Sequence, residues 1–325
     1  MTQRRLLLLG VAASTVVPGT PGLAQPAPFR VAWIGPGTMA EGQPLLDHLR
    51  QGLRELGYVE GRHLVIEARW GDHSAARTSD QIAAMVASQP KVIVALGPTT
   101  TGLHKATTTI PVVFAFSGDP VQAGFVESFA RPGRNLTGIS FLALELVGKR
   151  IELLKAVMPT LKRIAIVANA QHPGDQAERH ASELAARALG LETEYFEVAG
   201  ARLLDQALEA IAKSRCEAAV MFPIQSIISD SARIAAWSLR HRLPTVSGWA
   251  QFAEDGNLMS YGATPRESFL RLASYVDRLL KGAKPSELPV ELPRHFELVI
   301  NLRAARALAI TVPASVLLRA ERVIE

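Results

Sequence analysis

FRVAWIGPGTMAEGQPLLDHLRQGLRELG, residues 29–57, is the stretch that decides the fold class. Apolar residues run from Val31 to Ile34 and stop at Gly35-Pro36-Gly37, which is typical of a buried strand followed by a tight turn. Leucines then recur at helical spacing as far as Leu56, and Gly57 is predicted to end the helix. The stretch is therefore predicted to be a strand, a glycine turn and a helix.

The same unit recurs along the chain. Further strands are predicted at residues 63–70, 91–96 and 110–116 in the first half, and at 163–167, 192–198 and 218–222 in the second half. Helical patterns lie between most of them. Apolar strands that alternate with helices are typical of a parallel sheet covered on both faces. The two sets predict an α/β fold of two Rossmann-like, doubly wound parallel-sheet lobes.

Composition narrows the class of protein. The 325 residues are 48% hydrophobic, which is enough for two cores of about 100–150 residues each. The net charge is only +5, and no run rich in lysine and arginine carries interleaved aromatics, so no nucleic-acid partner is expected. After the N-terminal segment, no stretch approaches the about 20 apolar residues that a membrane span needs, so no stable membrane insertion is expected.

The first residues have the features of an export signal. Arg4-Arg5 precedes an apolar run from Leu6 to Val17, and Gly22-Leu23-Ala24 is a small-x-small cleavage site. We therefore predict that residues 1–24 are a signal peptide, cleaved after Ala24, and that the mature protein is periplasmic. The paired arginines also point to the twin-arginine route, although general export signals can carry two basic residues as well.

Candidate ligand contacts follow from the strand ends. In open parallel sheets the ligand crevice lies at the carboxyl ends of the strands, and the helices that begin there offer free N–H groups. The loops after the predicted strands supply most of the candidate contacts: Gly37, Thr38, Met39, Gly97, Pro98, Thr99, Thr100, Ser117, Asp119, Pro120, Asn169, Phe222 and Gln225.

Two of these positions allow two interpretations. Asp119-Pro120 follows a strand and is predicted to start a helix, where aspartate is a common N-cap and proline a common first residue. If Asp119 pointed into the crevice instead, it would favour a ligand with an amino group. Thr99 likewise either caps a helix or contacts the ligand.

Aromatic residues make up only 6% of the chain, and several lie near the predicted lobe crossings or at a strand end. Aromatic side chains in a cleft stack on flat ligands, but they also pack in protein cores. The aromatic candidates, with core packing as the alternative, are Phe222, already named above, and four further residues: Phe141, Trp249, Phe252 and Tyr261.

The sequence offers little for catalysis. Gly35-x-Gly37-x-x-Ala40 has the form of a dinucleotide fingerprint, but the first suitable acid, Glu67, lies inside a predicted strand and too far along the chain. No metal-ligand spacing, nucleophile elbow or Walker loop is present. We expect a protein that is not an enzyme and has no cofactor or metal. An exported dinucleotide-dependent oxidoreductase is the alternative.

Several segments together resemble the ABC-transporter substrate-binding family of the tryptophan/tyrosine-binding type. They are QGLRELGYVEGR at 51–62, TTTIPVVF at 107–114, GDPV at 118–121, RPGRNLTG at 131–138, LMSYG at 258–262 and FELVINL at 296–302. The resemblance extends from about residue 29 to the C-terminus. The sequence departs from the common pattern of the family at residues 96–99 and 222–225. The resemblance therefore supports a role in transport more strongly than it supports a particular ligand.

The resemblance implies a periplasmic-binding-protein type I fold with a hinge of three crossings, near 135–138, 258–261 and 285–293. Lobe 1 would comprise residues 25–136 and 261–289, and lobe 2 residues 137–260 and 290–325. A small molecule, amino-acid-like or aromatic, would bind between lobes that close by hinge bending, and the closed form would dock on the membrane permease of an ABC importer. A ligand sensor for a signalling partner is a further alternative.

Overall fold

Two helix-covered sheets make up the protein. The computed structural model describes residues 27–141, 144–170, 172, 174–198 and 201–325. The predicted signal peptide, residues 1–24, lies outside the described residues. The α/β fold with two parallel-sheet lobes is confirmed.

The first sheet has five parallel strands in the order β2-β1-β3-β4-β5. Strands β3, β4 and β5 are buried along their whole length, because helices cover both faces of this sheet. Its elements are β1 (Phe29–Gly35), α1 (Met39–Glu55), β2 (Leu64–Trp70), α2 (Ala75–Ala87), β3 (Val92–Leu96), α3 (Thr99–Ala106), β4 (Val112–Phe116) and β5 (Leu136–Ser140).

The second sheet has seven strands in the order β12-β11-β10-β9-β8-β6-β7. Its elements begin with α4 (Leu144–Val157), β6 (Arg163–Ala168), α5 (Asp175–Ala188), β7 (Glu192–Glu197), α6 (Ala201–Lys213), β8 (Ala218–Met221), α7 (Gln225–Ser229), α8 (Ser231–His241), β9 (Thr245–Ser247), α9 (Ala250–Glu254) and β10 (Met259–Ala263). After α10 (Pro265–Leu280) and a short 3-10 helix (Pro285–Glu287), the chain returns to it with β11 (Phe296–Asn301), α11 (Leu302–Ala307), α12 (Ala314–Leu317) and β12 (Arg322–Ile324).

The lobe crossings lie a few residues later than predicted. Residues 135–138 were expected to cross, but β5 pairs with β4 in the first sheet as far as Ser140, so the chain leaves that sheet after Ser140. Residues 258–261 likewise fall within or directly before β10, which belongs to the second sheet, and the second crossing follows Ala263. The third crossing starts at Glu291, which forms a β-bridge with Ile139 of the first sheet, and leads to β11 in the second sheet.

One pair of strands is antiparallel, β10 with β11. Strand β10 leaves the second sheet at its carboxyl end, α10 lies on the first lobe, and the chain comes back through the same crossing region. It must therefore enter the second sheet in the opposite direction. Among the pairs of described strands, this one departs from the parallel arrangement for that reason.

Helix α10 joins the first lobe by close packing against α1. A Cβ atom at Gly52 of α1 would lie 2.6 Å from Cβ of Ala273, so glycine permits this approach. Tyr58 donates a hydrogen bond to Asp277 at 2.9 Å, and Tyr275 donates one to the carbonyl of Pro289 at 2.7 Å. Here the core of the first lobe is built from residues that are more than 200 positions apart in sequence.

The helix predicted to start at Asp119 is absent. Residues 120–124 form a single turn, in which the amide of Ala123 donates to the carbonyl of Asp119 at 2.9 Å. In the part of the chain that the structure describes, no helix has the length and apolar character of a membrane span.

Candidate functional site

A cavity lies between the two lobes, at the carboxyl ends of their strands. This is the usual place of small-molecule sites in open parallel sheets. Most of its lining belongs to the first lobe, while His172, Pro223, Ile224 and Trp249 close it from the second lobe. Seven of the predicted contact residues line it: Gly37, Thr38, Gly97, Pro98, Ser117, Phe141 and Trp249.

Four aromatic side chains dominate the cavity. Trp70 ends β2, Phe269 lies on α10, Phe141 follows β5, and Trp249 is the residue before α9. The rings therefore come from both lobes and from the crossing region. Faces and edges of this kind accept a flat, apolar ligand body.

Glycines make room for the Trp70 ring. A Cβ atom at Gly42 would lie 2.1 Å from Cζ3 of Trp70, and one at Gly35 would lie 3.0 Å from the same atom. Real Cβ atoms do not approach a ring so closely. Gly35, the first glycine of the dinucleotide-like pattern, and Gly42 of α1 thus leave space for this aromatic wall.

The loop after β2 is fastened to the loop after β1. Amides of Gly71, Asp72 and His73 donate to carbonyls of residues 35, 37 and 36 at 2.9–3.0 Å. Asp72 and His73 take left-handed backbone angles, with φ of 48° and 58°. This loop lies beside the cavity, and the sequence argument missed it, although the rule that selects strand ends also selects Trp70.

Glu41 is the acidic residue of the lining. It completes a capping box with Thr38, whose amide donates to Oε2 of Glu41 at 2.8 Å. His73 Nε2 lies 2.8 Å from the same carboxylate. Burial alone would raise the pKa of Glu41, but hydrogen bonds from the Thr38 backbone, from His73 and from Ser229 lower it below its usual value.

Ser229 approaches Glu41 from the other lobe, close enough to help lower the pKa of that carboxyl group. Glu41 lies in α1 of the first lobe, and Ser229 is the last residue of α7 in the second. The contact is made entirely by protein atoms at one edge of the cavity. Neither residue was predicted, although Thr38-x-x-Glu41 is a capping-box pattern that the sequence displays.

The cavity carries little charge. Besides Glu41, the titratable lining residue is His172, and burial lowers its pKa to about 4, so it is neutral at physiological pH. Among the described lining residues there is no lysine or arginine. An anionic ligand group would therefore depend on backbone N–H groups and hydroxyls.

A buried arginine stands behind the second-lobe wall. Arg150 is 4% exposed, and its Nε donates to the carbonyl of Tyr261 at 2.9 Å. Its Nη2 lies 2.8 Å from the place where a Cβ at Gly248 would be, next to Trp249. Burial lowers the pKa of Arg150 and raises that of Glu178 to about 7, with each charge opposing the other's shift.

Other predicted contacts have structural roles in this arrangement. Oγ1 of Thr99 accepts from the amide of Leu96 at 3.1 Å and donates to its carbonyl at 2.9 Å, inside the fold. Thr100 is fully buried on α3. Phe222 and Phe252 lie in the second-lobe core, 1% and 0% exposed. Phe222 and Phe252 thus have the core packing that was the alternative to ligand contact, whereas Thr99 neither caps α3 nor lines the cavity.

The remaining candidates lie outside the cavity lining. Met39 is 60% exposed, and Tyr261 packs against the second-lobe core. Pro120 is buried, and Asn169 accepts a backbone hydrogen bond from His172 at 2.8 Å. Gln225 begins α7, and its side chain is outside the described part of the chain.

The geometry does not favour dinucleotide binding. Glu67 lies within β2 and pairs with Arg30 at 3.2 Å, so it is not free at the strand end where a ribose would be held. Among the described residues, no three or more His, Cys, Asp or Glu side chains are grouped so that they could hold a metal ion.

Comparison with known proteins finds a family whose sequence profile matches most of the chain. The profile of a family described as ABC transporter substrate binding protein matches residues 43–324. A tyrosine-binding protein from Clostridioides difficile (strain R20291) is 22% identical over 271 residues, covering 82% of this chain and 77% of that protein.

Two solved structures superpose closely. A conserved domain protein from Vibrio cholerae O1 biovar El Tor is 28% identical with a TM-score of 0.85, covering 91% of this chain and 99% of that one. An ABC domain in complex with L-Trp from Streptococcus pneumonia is 23% identical with a TM-score of 0.85, covering 92% and 100%.

Proposed function

We propose that this chain, which belongs to the ABC transporter substrate-binding protein family, is the exported component that captures a small ligand and delivers it to the permease of an importer. The export part of the proposal rests on the signal-like residues 1–24. The delivery part rests on the family. The chemistry of the ligand has to come from the cavity.

The aromatic cavity between the lobes carries the proposal about the ligand. Trp70, Phe141, Phe269 and Trp249 surround a space for a flat ring, and the described lining residues include one carboxylate and no lysine or arginine. We infer an aromatic amino acid or a molecule of similar shape. A tyrosine-binding relative and a neighbouring structure with L-Trp support the same class.

The polar end of such a ligand requires hydrogen-bonding groups. Thr38 lines the cavity and caps α1, so the first turn of a 17-residue helix presents N–H groups and its positive end at this wall. A carboxylate can bind such a helix start without a lysine or arginine. Ser117 adds a hydroxyl on the same side.

Binding is proposed to close the lobes by hinge bending. The chain passes between them only after Ser140, after Ala263 and before Phe296, and short connections of this kind can absorb backbone rotation while the sheets stay intact. The ligand would then contact both lobes at once. The permease would recognise the surface that closure creates.

Titration calorimetry with L-Trp and L-Tyr tests the proposed ligand, together with mass spectrometry of the small molecule released from denatured protein. We expect at least one of the two to bind at a single site. Small-angle scattering should show a smaller radius of gyration at saturation. No binding of either amino acid would refute the proposed ligand class, and an unchanged radius at proven saturation would refute hinge closure.

Replacing Asp119 with asparagine should leave ligand affinity within about twofold. Oδ1 of Asp119 accepts from the amides of Val121 and Gln122 at 2.8 and 3.2 Å, and the residue is not part of the cavity lining. Asparagine caps nearly as well as aspartate. Calorimetry on the variant is the measurement. A loss of about tenfold or more would instead place Asp119 against an amino group of the ligand.

A further inference from the structure

Trp33 lies directly behind the first-lobe wall of the cavity. It is on β1, two residues before Gly35, so both residues face the same side of the sheet. Its ring is 6.2 Å from the Trp70 ring and 5.8 Å from the Phe269 ring, measured between centroids. Gly35, Trp70 and Phe269 all line the cavity.

The indole Nε1 of Trp33 lies close to that wall. It is 3.9 Å from the place where a Cβ at Gly35 would be, towards the carboxyl end of β1, where the cavity opens. Trp33 itself is not part of the lining, so its N–H group lies behind Gly35, which has no side chain between the indole and the cavity.

This N–H group is buried without a partner among the described residues. Trp33 is 0% exposed, and its Nε1 makes no hydrogen bond there. A buried donor that stays unpaired is unfavourable, and buried tryptophans usually find an acceptor. An acceptor supplied by a bound molecule would satisfy the donor.

We propose that the Trp33 indole N–H donates a hydrogen bond to an acceptor atom at the first-lobe end of the ligand, and so selects among ligands of the same flat shape. The inference rests on the proposed function, because it requires that the ligand occupy this cavity. The acceptor is a hydroxyl or carbonyl oxygen or a ring nitrogen, carried at the far end of the flat body. A ligand that lacks it leaves the donor unpaired and binds more weakly.

A second tryptophan provides a matched control. Nε1 of Trp237 is also buried without a partner among the described residues, and Trp237 is 6% exposed. It lies in the second-lobe core, with its ring 5.3 Å from that of His241, and it does not line the cavity. Changing it to phenylalanine removes the same group from a place that the ligand does not reach.

The test compares L-tyrosine with L-phenylalanine, which differ only by the phenolic oxygen. Calorimetry on the wild-type protein should show L-tyrosine preferred by about fivefold to tenfold, the effect of one neutral hydrogen bond. Trp33→Phe keeps an aromatic ring but loses the N–H, so the preference should fall to about one or below. Trp237→Phe should retain the wild-type preference.

A spectroscopic measurement on the wild type covers the case in which Trp33→Phe does not fold. In a ¹H–¹⁵N spectrum, the Trp33 indole proton should move downfield on saturation with L-tyrosine and much less with L-phenylalanine. The Trp237 indole signal should not respond to either amino acid.

The outcomes separate the two proposals. If both amino acids bind and the preference is the same with and without the Trp33 N–H, this inference is overturned. The Trp33 N–H would then interact with the Trp70 ring instead, whose plane is inclined by 63° to that of the Trp33 ring. An unresponsive Trp33 indole proton at saturation overturns it as well. If neither L-tyrosine nor L-phenylalanine binds, this inference is overturned; the proposed ligand class fails with it only when L-tryptophan does not bind either.

Discussion

Changing Gly262 to alanine should lower the free energy of unfolding by about 3 kcal/mol or more, because the new methyl group meets only backbone. A Cβ at Gly262 would lie 1.9 Å from the carbonyl oxygen of Gly248 and 2.7 Å from its carbon. Gly248 cannot easily retreat, since Pro223 and Arg150 pack against it from another side. Urea unfolding followed by circular dichroism measures the loss.

Gly148→Ala is the matched control for that substitution. Gly148 is within α4, and the nearest atom to its added methyl group would be Cβ of Ala185 at 3.4 Å, an ordinary contact. Because alanine is the better helix former by up to about 1 kcal/mol, this variant should be as stable as the wild type or more stable. Equal stabilities for the two variants would contradict the steric argument at Gly262.

Trp70→Ala should weaken binding of the proposed aromatic ligand by at least about thirtyfold. The substitution removes the largest ring of the first-lobe wall, and tryptophans at the centre of a binding site account for about 2 kcal/mol or more of binding free energy. Calorimetry with whichever of L-Trp and L-Tyr binds the wild type is the measurement, with circular dichroism to confirm folding. The effect should be larger than that of any other substitution in the lining.

Gly42→Ala tests the same ring without removing it. The methyl group would lie 2.1 Å from Cζ3 of Trp70, so the ring has to move, and affinity should fall by about tenfold. Gly148→Ala, the same chemical change in another helix, should not alter affinity. Full affinity in Trp70→Ala would remove this wall from the binding site and with it the argument for a flat ligand.

Much of the fold is evident from the sequence, because fully buried parallel strands appear in it as continuous runs of apolar residues. Strands β1, β3 and β4 and the helices after β1 and β3 were predicted within a few residues. Which sheet a strand joins was not predictable in this way. The segments around Gly138 and Met259 have similar apolar patterns, and only their pairing partners assign them to the first and second sheets.

The candidate site was predictable in part for the same reason. The strand-end rule found Gly37, Gly97 and Ser117, which line the cavity. It could not find Phe269, which lies on a helix that returns from the second lobe more than 200 residues after β1. Nor could the rule decide whether Phe222 contacts a ligand, since an aromatic residue at a strand end can face either the cleft or the core.

The approach of Ser229 to Glu41 has a thermodynamic consequence of its own. It brings the lobes together through protein atoms alone, so the stabilisation that it gives to the joined arrangement is the same with and without a ligand. The apparent dissociation constant equals the intrinsic one divided by the fraction of molecules already in the competent conformation. Under the proposed closure, such a contact would tighten apparent affinity by enlarging that fraction, and it would narrow the difference between empty and loaded molecules that a permease could sense.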